Sequence, residues 1–160
     1  MPLTAADEVF MHLAIETAAA GVGAGQSPFG AAVVKGDVVV AVAHNVVWAT
    51  TDITAHAEVT AIRAACQALG VIDLSGCIVY STCEPCPMCF AACHWARVRR
   101  VVYGATIADA QRIGFHELGI ASATMRELGG STVELVGECL RAEAVAVMDA
   151  WCARWQATAY

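Results

Sequence analysis

The sequence predicts an α/β fold: a three-layer α/β/α sandwich built around a mixed five-stranded sheet. Short apolar runs of strand length alternate along the chain with segments whose apolar residues recur at helical spacing. Two of the runs are separated by a tight turn, which predicts an antiparallel hairpin inside the sheet. The length of 160 residues matches one domain, and we expect that domain to span 1–160.

The first half of the chain supplies two helices and three strands. Thr4 is followed three residues later by Asp7, which is typical of a capped helix start. Lys35-Gly36-Asp37 separates two apolar runs and forms the hairpin turn. The elements predicted here are a helix from Thr4 to Gly21, strands at 29–34 and 38–43, a helix at 55–69 and a strand at 77–81.

The second half continues the alternation of helices and strands. Pro85 suits the first turn of a third helix, which we expect to continue to about residue 96. Strands follow at 98–103 and 132–136, and a last helix covers about 138–155. Between them, 106–122 is polar and has no clean period, so it predicts a loop that carries substrate contacts.

The composition excludes some functions and limits others. The formal net charge is −6, and Lys35 is the one lysine among nine basic residues, which disfavours a large nucleic-acid surface. The apolar runs are too short to span a bilayer, although 58% of the residues are hydrophobic. The N-terminal MPLTAADEVF lacks the features of a secretory signal, so we expect a cytoplasmic protein. Thiols stay reduced there, and the eight cysteines are therefore better explained as metal ligands and small core residues than as disulfides.

Half of the cysteines lie in one short stretch, STCEPCPMCFAAC, with the spacing C-x2-C-x2-C-x3-C. An iron–sulfur electron carrier, a structural zinc knot and a catalytic zinc site all use spacings of this kind. The ferredoxin pattern needs a proline after the fourth cysteine and a second cysteine run, whereas His94 follows Cys93 and the second run is missing. A zinc knot needs a second ligand pair downstream, which the sequence lacks.

An upstream pair of residues favours the catalytic zinc site. His56 and Glu58 precede Pro85, Cys86 and Cys89, and His-x-Glu followed by Pro-Cys-x-x-Cys is the signature of zinc deaminases. The signature predicts one Zn²⁺ per chain held by His56, Cys86 and Cys89, with the fourth position open to water. Glu58 is the predicted proton shuttle between that water and the substrate.

Further residues extend this match over nearly the whole chain. They are Ser27-Pro28-Phe29-Gly30-Ala31, Asn45, the blocks 54–63 and 83–89, Trp95-Ala96-Arg97, Gly114-Phe115 with Glu117, and Ala150-Trp151 with Tyr160. With these residues the chain resembles the cytidine deaminase superfamily. It is most similar to the bacterial guanine deaminase branch, with tRNA adenosine deaminases as close relatives.

The resemblance implies a function and a set of substrate contacts. The implied reaction is the hydrolytic deamination of guanine to xanthine and ammonia by a homodimer. Phe29 would stack on the base, Asn45 would hydrogen-bond its edge, and Glu117 would grip ring N–H groups or share in proton transfer. The remaining implied substrate contacts are Ala57, Trp95, His116 and Tyr160. The chain departs from the branch at His116-Glu117, where two aspartates are common.

Three other functions stay open from the sequence. The substrate could be a nucleoside or another amino-heterocycle, such as guanosine, cytosine or adenosine. A tRNA-specific adenosine deaminase would use the same metal centre, although the negative charge counts against RNA binding. The most distant alternative is an iron–sulfur electron carrier.

Overall fold

A mixed five-stranded sheet forms the centre of the fold in the computed structural model, which describes residues 2–155 and 159–160. The strand order is β2-β1-β3-β4-β5. β1 pairs antiparallel with both of its neighbours, while β3, β4 and β5 run parallel to one another, as predicted for a mixed sheet. The strands are β1 (Gly30–Lys35), β2 (Val38–His44), β3 (Cys77–Cys83), β4 (Arg100–Ala105) and β5 (Glu134–Val136).

Helices cover both faces of this sheet and give the predicted three layers. Helices α1 and α7 pack on one face, and α3 packs on the other together with α4. The helices are α1 (Ala5–Gly23), α2 (Val47–Thr50), α3 (Ala57–Leu69), α4 (Pro87–Trp95), α5 (Ile107–Arg112), α6 (Ser122–Gly129) and α7 (Arg141–Trp155). In the described part of the chain, none of them is long and apolar enough to cross a membrane.

The strand residues alternate between two hydrophobic cores. In β1, Ala32 and Val34 belong to the core under α1 and α7, while Ala31 and Val33 belong to the core under α3 and α4. This period of two is what a strand buried on both faces requires, because successive side chains point to opposite sides. β1, β3 and β4 are therefore buried on both faces, which accounts for their apolar sequences, whereas β2 at the edge is partly exposed.

The start of α1 joins helix capping to a buried ion pair. Thr4 and Asp7 form the predicted capping box. The Asp7 carboxylate also accepts hydrogen bonds from the Tyr80 hydroxyl and from the Arg100 guanidinium, at 2.9 and 3.1 Å. One carboxylate thus ties α1 to β3 and β4 across the core.

Two helix starts differ from the prediction, and both differences matter for the site. α4 begins at Pro87, not at Pro85, because Cys86 precedes a proline and such a residue is held in extended backbone. Cys86 is consequently the N-cap of α4. α3 likewise begins two residues later than predicted, with extended His56 as its N-cap.

Three short helices were not predicted. α2 covers four residues, and α5 and α6 lie within and just after the segment predicted as a loop. Between α5 and α6, residues 113–121 remain irregular, so the prediction is right for the part that carries Phe115 and Glu117. α7 begins at Arg141 because Glu138 and Leu140 adopt left-handed backbone, with φ of 65° and 51°.

Candidate active site

Two helix starts bring His56, Cys86 and Cys89 together. His56 and Cys86 are the N-caps of α3 and α4, and Cys89 lies one turn into α4. The Nδ1 atom of His56 lies 3.7 Å from Sγ of Cys86 and 3.5 Å from Sγ of Cys89. All three ligand atoms lie within 4.8 Å of one another.

These separations fit a tetrahedral zinc ion. With Zn–N and Zn–S bonds of about 2.0 and 2.3 Å, two ligand atoms of a tetrahedral site lie roughly 3.6 Å apart. One imidazole and two thiols are a usual donor set for Zn²⁺, and three protein ligands leave a fourth position for water. The residues present therefore fit the metal that the sequence predicts.

The local electrostatics favour a thiolate at Cys86. A hydrogen bond from Cys89 lowers the pKa of the Cys86 thiol to about 4 against the effect of burial, and His56 contributes in the same direction. Cys86 also caps a helix N-terminus, where the helix dipole stabilises negative charge.

Glu58 lies buried beside the metal-site residues. It occupies the first turn of α3 and is 6% exposed. Burial, reinforced by the negative charge of Cys86, raises the pKa of its carboxyl. The Ser81 hydroxyl on β3 donates a hydrogen bond to Oε1 of Glu58 at 3.1 Å. This bond fixes the orientation of a group predicted to carry protons.

The remaining walls of the cavity come from distant parts of the chain. Phe29 precedes β1, Asn45 follows β2, and Phe115 and Glu117 lie between α5 and α6. Phe29 and Phe115 form an edge-to-face pair, with ring centroids 4.8 Å apart. Burial raises the pKa of Glu117 to about 7, and the negative charge of Cys86 acts in the same direction.

Tyr160 forms one wall of this cavity in its own chain. Its hydroxyl accepts a hydrogen bond from the Asn45 amide, and its ring lies 5.3 Å from the ring of Phe115. The backbone N–H of His116 donates to its carbonyl oxygen at 2.9 Å. The cavity that remains measures about 20 Å³, which suffices for one water molecule but not for a purine.

A second cavity of about 310 Å³, called the vestibule here, shares His56, Cys86, Glu117 and Tyr160 with the inner cavity. Exposed His116 lies here and not in the inner cavity, whereas Glu117 borders both spaces. Ile53, Met88 and Leu118 make the vestibule mainly apolar. His116, one of the two positions at which the chain departs from the guanine deaminase branch, thus lies at the vestibule.

Two predicted substrate contacts are placed elsewhere. Trp95 is 82% exposed and borders a separate surface groove, because α4 turns the side of Phe90 and Cys93 toward the core. Ala57 is fully buried in the core under α3. In this chain neither residue borders the inner cavity.

Of the other cysteines of the run, Cys93 serves as a packing residue, whereas Cys83 also lines the inner cavity. Cys93 is fully buried in the core under α4, where burial raises the pKa of its thiol. Cys83 is buried at the end of β3, and its thiol donates to the carbonyl oxygen of Thr106 at 3.5 Å. Burial raises the pKa of Cys83 well above the ordinary value, so this thiol remains protonated.

Three residues of the cavity region escaped the sequence reasoning: Ser81, Glu84 and Phe115 as a ring contact. Phe115 was part of the resemblance, but its packing on Phe29 required the fold. Ser81 could have been suspected, because a serine two residues after Val79 shares the face of a buried strand that α3 covers. Glu84 lies in the block 83–89 of the resemblance, but its role had no local signal, because its partners are distant in sequence.

The comparison with protein families agrees with the geometry. The family model described as "Cytidine and deoxycytidylate deaminase zinc-binding region" matches residues 4–105, well over half of the chain. The chain belongs to this family, and the predicted enzyme class, a zinc-dependent hydrolytic deaminase, is confirmed.

Comparison with individual proteins shows which members of this family the chain resembles. The chain is 49% identical over 111 residues to the guanine deaminase of Bacillus subtilis, a match that covers 69% of this chain and 71% of that protein. It is 45% identical over 96 residues to the tRNA-specific adenosine deaminase of Agrobacterium fabrum, covering 60% and 63% of the two chains. The crystal structure of the protein NE0047 in complex with 2,6-diaminopurine superposes with a TM-score of 0.88 at 31% identity, covering 99% and 87%.

Proposed function

We propose that the chain deaminates guanine to xanthine and ammonia. The observation that carries the proposal is the placement of Glu117, a half-buried carboxylate in the same cavity as Glu58, His56 and Cys86. A carboxylate accepts hydrogen bonds, and guanine offers two adjacent donors, the N1–H and the 2-amino group. Adenine and cytosine instead place an acceptor nitrogen beside their amino group. The guanine deaminase from B. subtilis, at 49% identity, supports the same choice.

The other walls suit a flat purine. Phe29 offers an aromatic face on which a base can stack. The Asn45 side chain is fully buried, and its Oδ1 accepts from the backbone N–H of Val47, which fixes the amide so that Nδ2 points into the cavity toward Tyr160. That N–H group is a donor for a carbonyl or ring nitrogen of the base.

The chemistry follows from the placement of Glu58. Zinc held by His56, Cys86 and Cys89, one ion per chain, would supply a Lewis acid that makes water nucleophilic near neutral pH. Glu58 accepts a proton from the attacking water and delivers it to N3 of the base as the C2–O bond forms. Glu58 then takes the proton of the C2 hydroxyl and passes it to the 2-amino nitrogen. The C2–N bond breaks as the C2=O double bond forms, and ammonia leaves. Guanine and one water thus give xanthine and one ammonia.

Substrate entry requires Tyr160 to move. The remaining 20 Å³ cannot hold a purine, and the Tyr160 hydroxyl occupies the Asn45 donor that the base would use. We infer that Tyr160 leaves Asn45 when guanine binds and then packs against the bound base as an outer wall.

A homodimer of single-domain subunits completes the proposal. One sheet joins strands from residue 30 to residue 136, which supports a single domain over 1–160. Large apolar side chains are nevertheless exposed, among them Ile72, Trp95 and Leu128 at 86, 82 and 85%. Burying such surface would stabilise a dimer. The predicted contact of Trp95 with substrate could then come only from a second copy.

A tRNA-specific adenosine deaminase is the second candidate, favoured by the 45% identity to the A. fabrum enzyme. RNA binding rests on clustered basic residues, and this chain carries a net charge of −6. We therefore expect weak retention of tRNA at low salt and no inosine in tRNA incubated with the enzyme.

The test compares guanine with guanosine, adenine and cytosine, measured as kcat/KM with the zinc-loaded protein. Guanine should be the best of the four. Glu117→Gln replaces an accepting oxygen with a donor that meets the donors of guanine, and kcat/KM for guanine should fall about 100-fold or more. A preference for another base, or an unimpaired Glu117→Gln enzyme, would reject this assignment of the substrate.

A further inference from the structure

We propose that Glu84 is a positioning residue that fastens the 106–122 segment to the metal site. The segment carries Phe115 and Glu117, and Glu84 lies two residues before the metal-site residue Cys86. The inference deepens the proposed function and rests on it where it concerns guanine.

The carboxylate of Glu84 holds both ends of the segment at once. Its Oε2 accepts from the backbone N–H of Ile107, the first residue of α5, at 3.4 Å. Its Oε1 accepts from the backbone N–H of Ser122, the first residue of α6, at 2.9 Å. Glu84 is itself 9% exposed and borders the inner cavity.

Neighbouring bonds strengthen the same attachment. The backbone N–H of Glu84 donates to the carbonyl oxygen of Ala105 at 2.7 Å, just before the segment. At the other end, the Ser122 hydroxyl donates to the carbonyl oxygen of Pro85 at 2.8 Å. Both ends of the segment are therefore hydrogen-bonded to one short stretch of chain, Glu84 and Pro85, directly before Cys86.

The sequence of α6 explains why this remote carboxylate is needed. The N-cap of α6 is Ala121, whose side chain has no oxygen to accept from the first amides of the helix. Glu84, 38 residues earlier in the chain, supplies the missing acceptor for Ser122. α5 differs, because Thr106 and Asp109 form its own capping box.

The consequence concerns the distance between Glu117 and the metal-site residues. Between its two attachments the segment is irregular around Phe115 and Glu117, so their position depends on where its ends are held. Fixing both ends on one carboxylate therefore holds Glu117 in the cavity that Glu58 also lines. Loss of the attachment should change binding of the base more than the chemical step.

The kinetic test uses two variants of Glu84 and a matched control. Glu84→Gln turns one accepting oxygen into an NH2 group that meets a backbone N–H. Glu84→Asp keeps the charge but shortens the reach by roughly 1.5 Å. The control is Asp7→Asn, which also replaces a buried helix-capping carboxylate but whose partners Thr4, Tyr80 and Arg100 lie outside the segment.

With guanine, both Glu84 variants should show a KM raised about tenfold and kcat within about threefold of wild type, at one zinc per chain. The Asp7→Asn enzyme should keep its KM. An unchanged KM in the Glu84 variants, full rescue by Glu84→Asp, or an equal change in the control would overturn the positioning role.

A second readout does not depend on the substrate. Amide hydrogen exchange of the zinc-loaded protein should be about tenfold faster within residues 106–122 in Glu84→Gln, and unchanged there in Asp7→Asn. Equal exchange in wild type and Glu84→Gln would overturn the proposal. If wild type fails to deaminate guanine, the proposed function fails, whereas the exchange result still decides whether Glu84 holds the segment.

Discussion

The Asp7 carboxylate offers the most quantitative prediction. It accepts hydrogen bonds from the Arg100 guanidinium at 3.1 and 3.2 Å, from the Tyr80 hydroxyl at 2.9 Å and from the backbone N–H of Thr4 at 2.8 Å. The Asp7 and Arg100 side chains are only 2 and 3% exposed. Asp7→Asn removes the closer and more deeply buried of two acidic partners of Arg100, since Glu134 Oε1 lies 3.8 Å from Nε, and the loss costs about 3 kcal/mol. For a chain of this length that amounts to a fall in Tm of roughly 6–12 °C.

The pH dependence gives this prediction its sharpest test. Burial opposes ionisation of Asp7, but hydrogen bonds from Thr4 and Tyr80 and the charge of Arg100 outweigh it, so the folded pKa lies below the ordinary value of 3.8. A lowered folded pKa means that the stabilisation is fully present above about pH 4 and is lost as the pH falls through the folded pKa.

Calorimetry and urea unfolding of both zinc-loaded proteins measure the difference in the free energy of unfolding. The difference should be constant between pH 6 and 8 and shrink below pH 4. A difference under about 1 kcal/mol at pH 7, or one that grows on acidification, would refute the reasoning.

Three further predictions concern the site. Ser81→Ala removes the hydroxyl that orients Glu58, so kcat for guanine should fall about tenfold with KM unchanged. Restoration of kcat by Ser81→Thr would show that the hydroxyl is responsible. A change in KM alone would argue against an orienting role. Tyr160→Phe removes the hydroxyl that competes for the Asn45 donor, so steady-state kinetics should show KM reduced about two- to tenfold; a higher KM would mean that the hydroxyl binds substrate. Chelation of the metal should abolish turnover and lower Tm, and added Zn²⁺ but not Mg²⁺ should restore both; activity that survives complete removal of zinc would contradict the metal assignment.

The sequence predicted the elements whose signals are local. The capping box at Thr4 and Asp7 and the apolar periods of the long helices act over a few residues, and those helices formed as expected. The capping box at Thr106 and Asp109 is equally local and could have revealed α5. α6 could not be found in this way, because its acceptor is Glu84, 38 residues away.

The contrast between local signals and distant partners also applies to the candidate site. The spacing of the signature was enough to bring the metal-site residues together, because each helix start is set by a few neighbouring residues. Trp95 does not border the cavity of its own chain, and the helix period gives the reason: it lies two residues after buried Cys93, about 200° around the helix. Tyr160 was implied as a substrate contact, but its hydrogen bond with Asn45 of the same chain could not be predicted, because the two residues are 115 positions apart.

The most direct test of the account is the release of ammonia from guanine. The zinc-loaded protein is incubated with guanine beside Glu58→Gln of equal zinc content, and ammonia and xanthine are both quantified. We predict one ammonia per xanthine from the wild type and a rate at least 100-fold lower from Glu58→Gln. Ammonia release by Glu58→Gln at a near-normal rate would contradict the role of Glu58, and no ammonia from guanine with the wild type would contradict the proposed function itself.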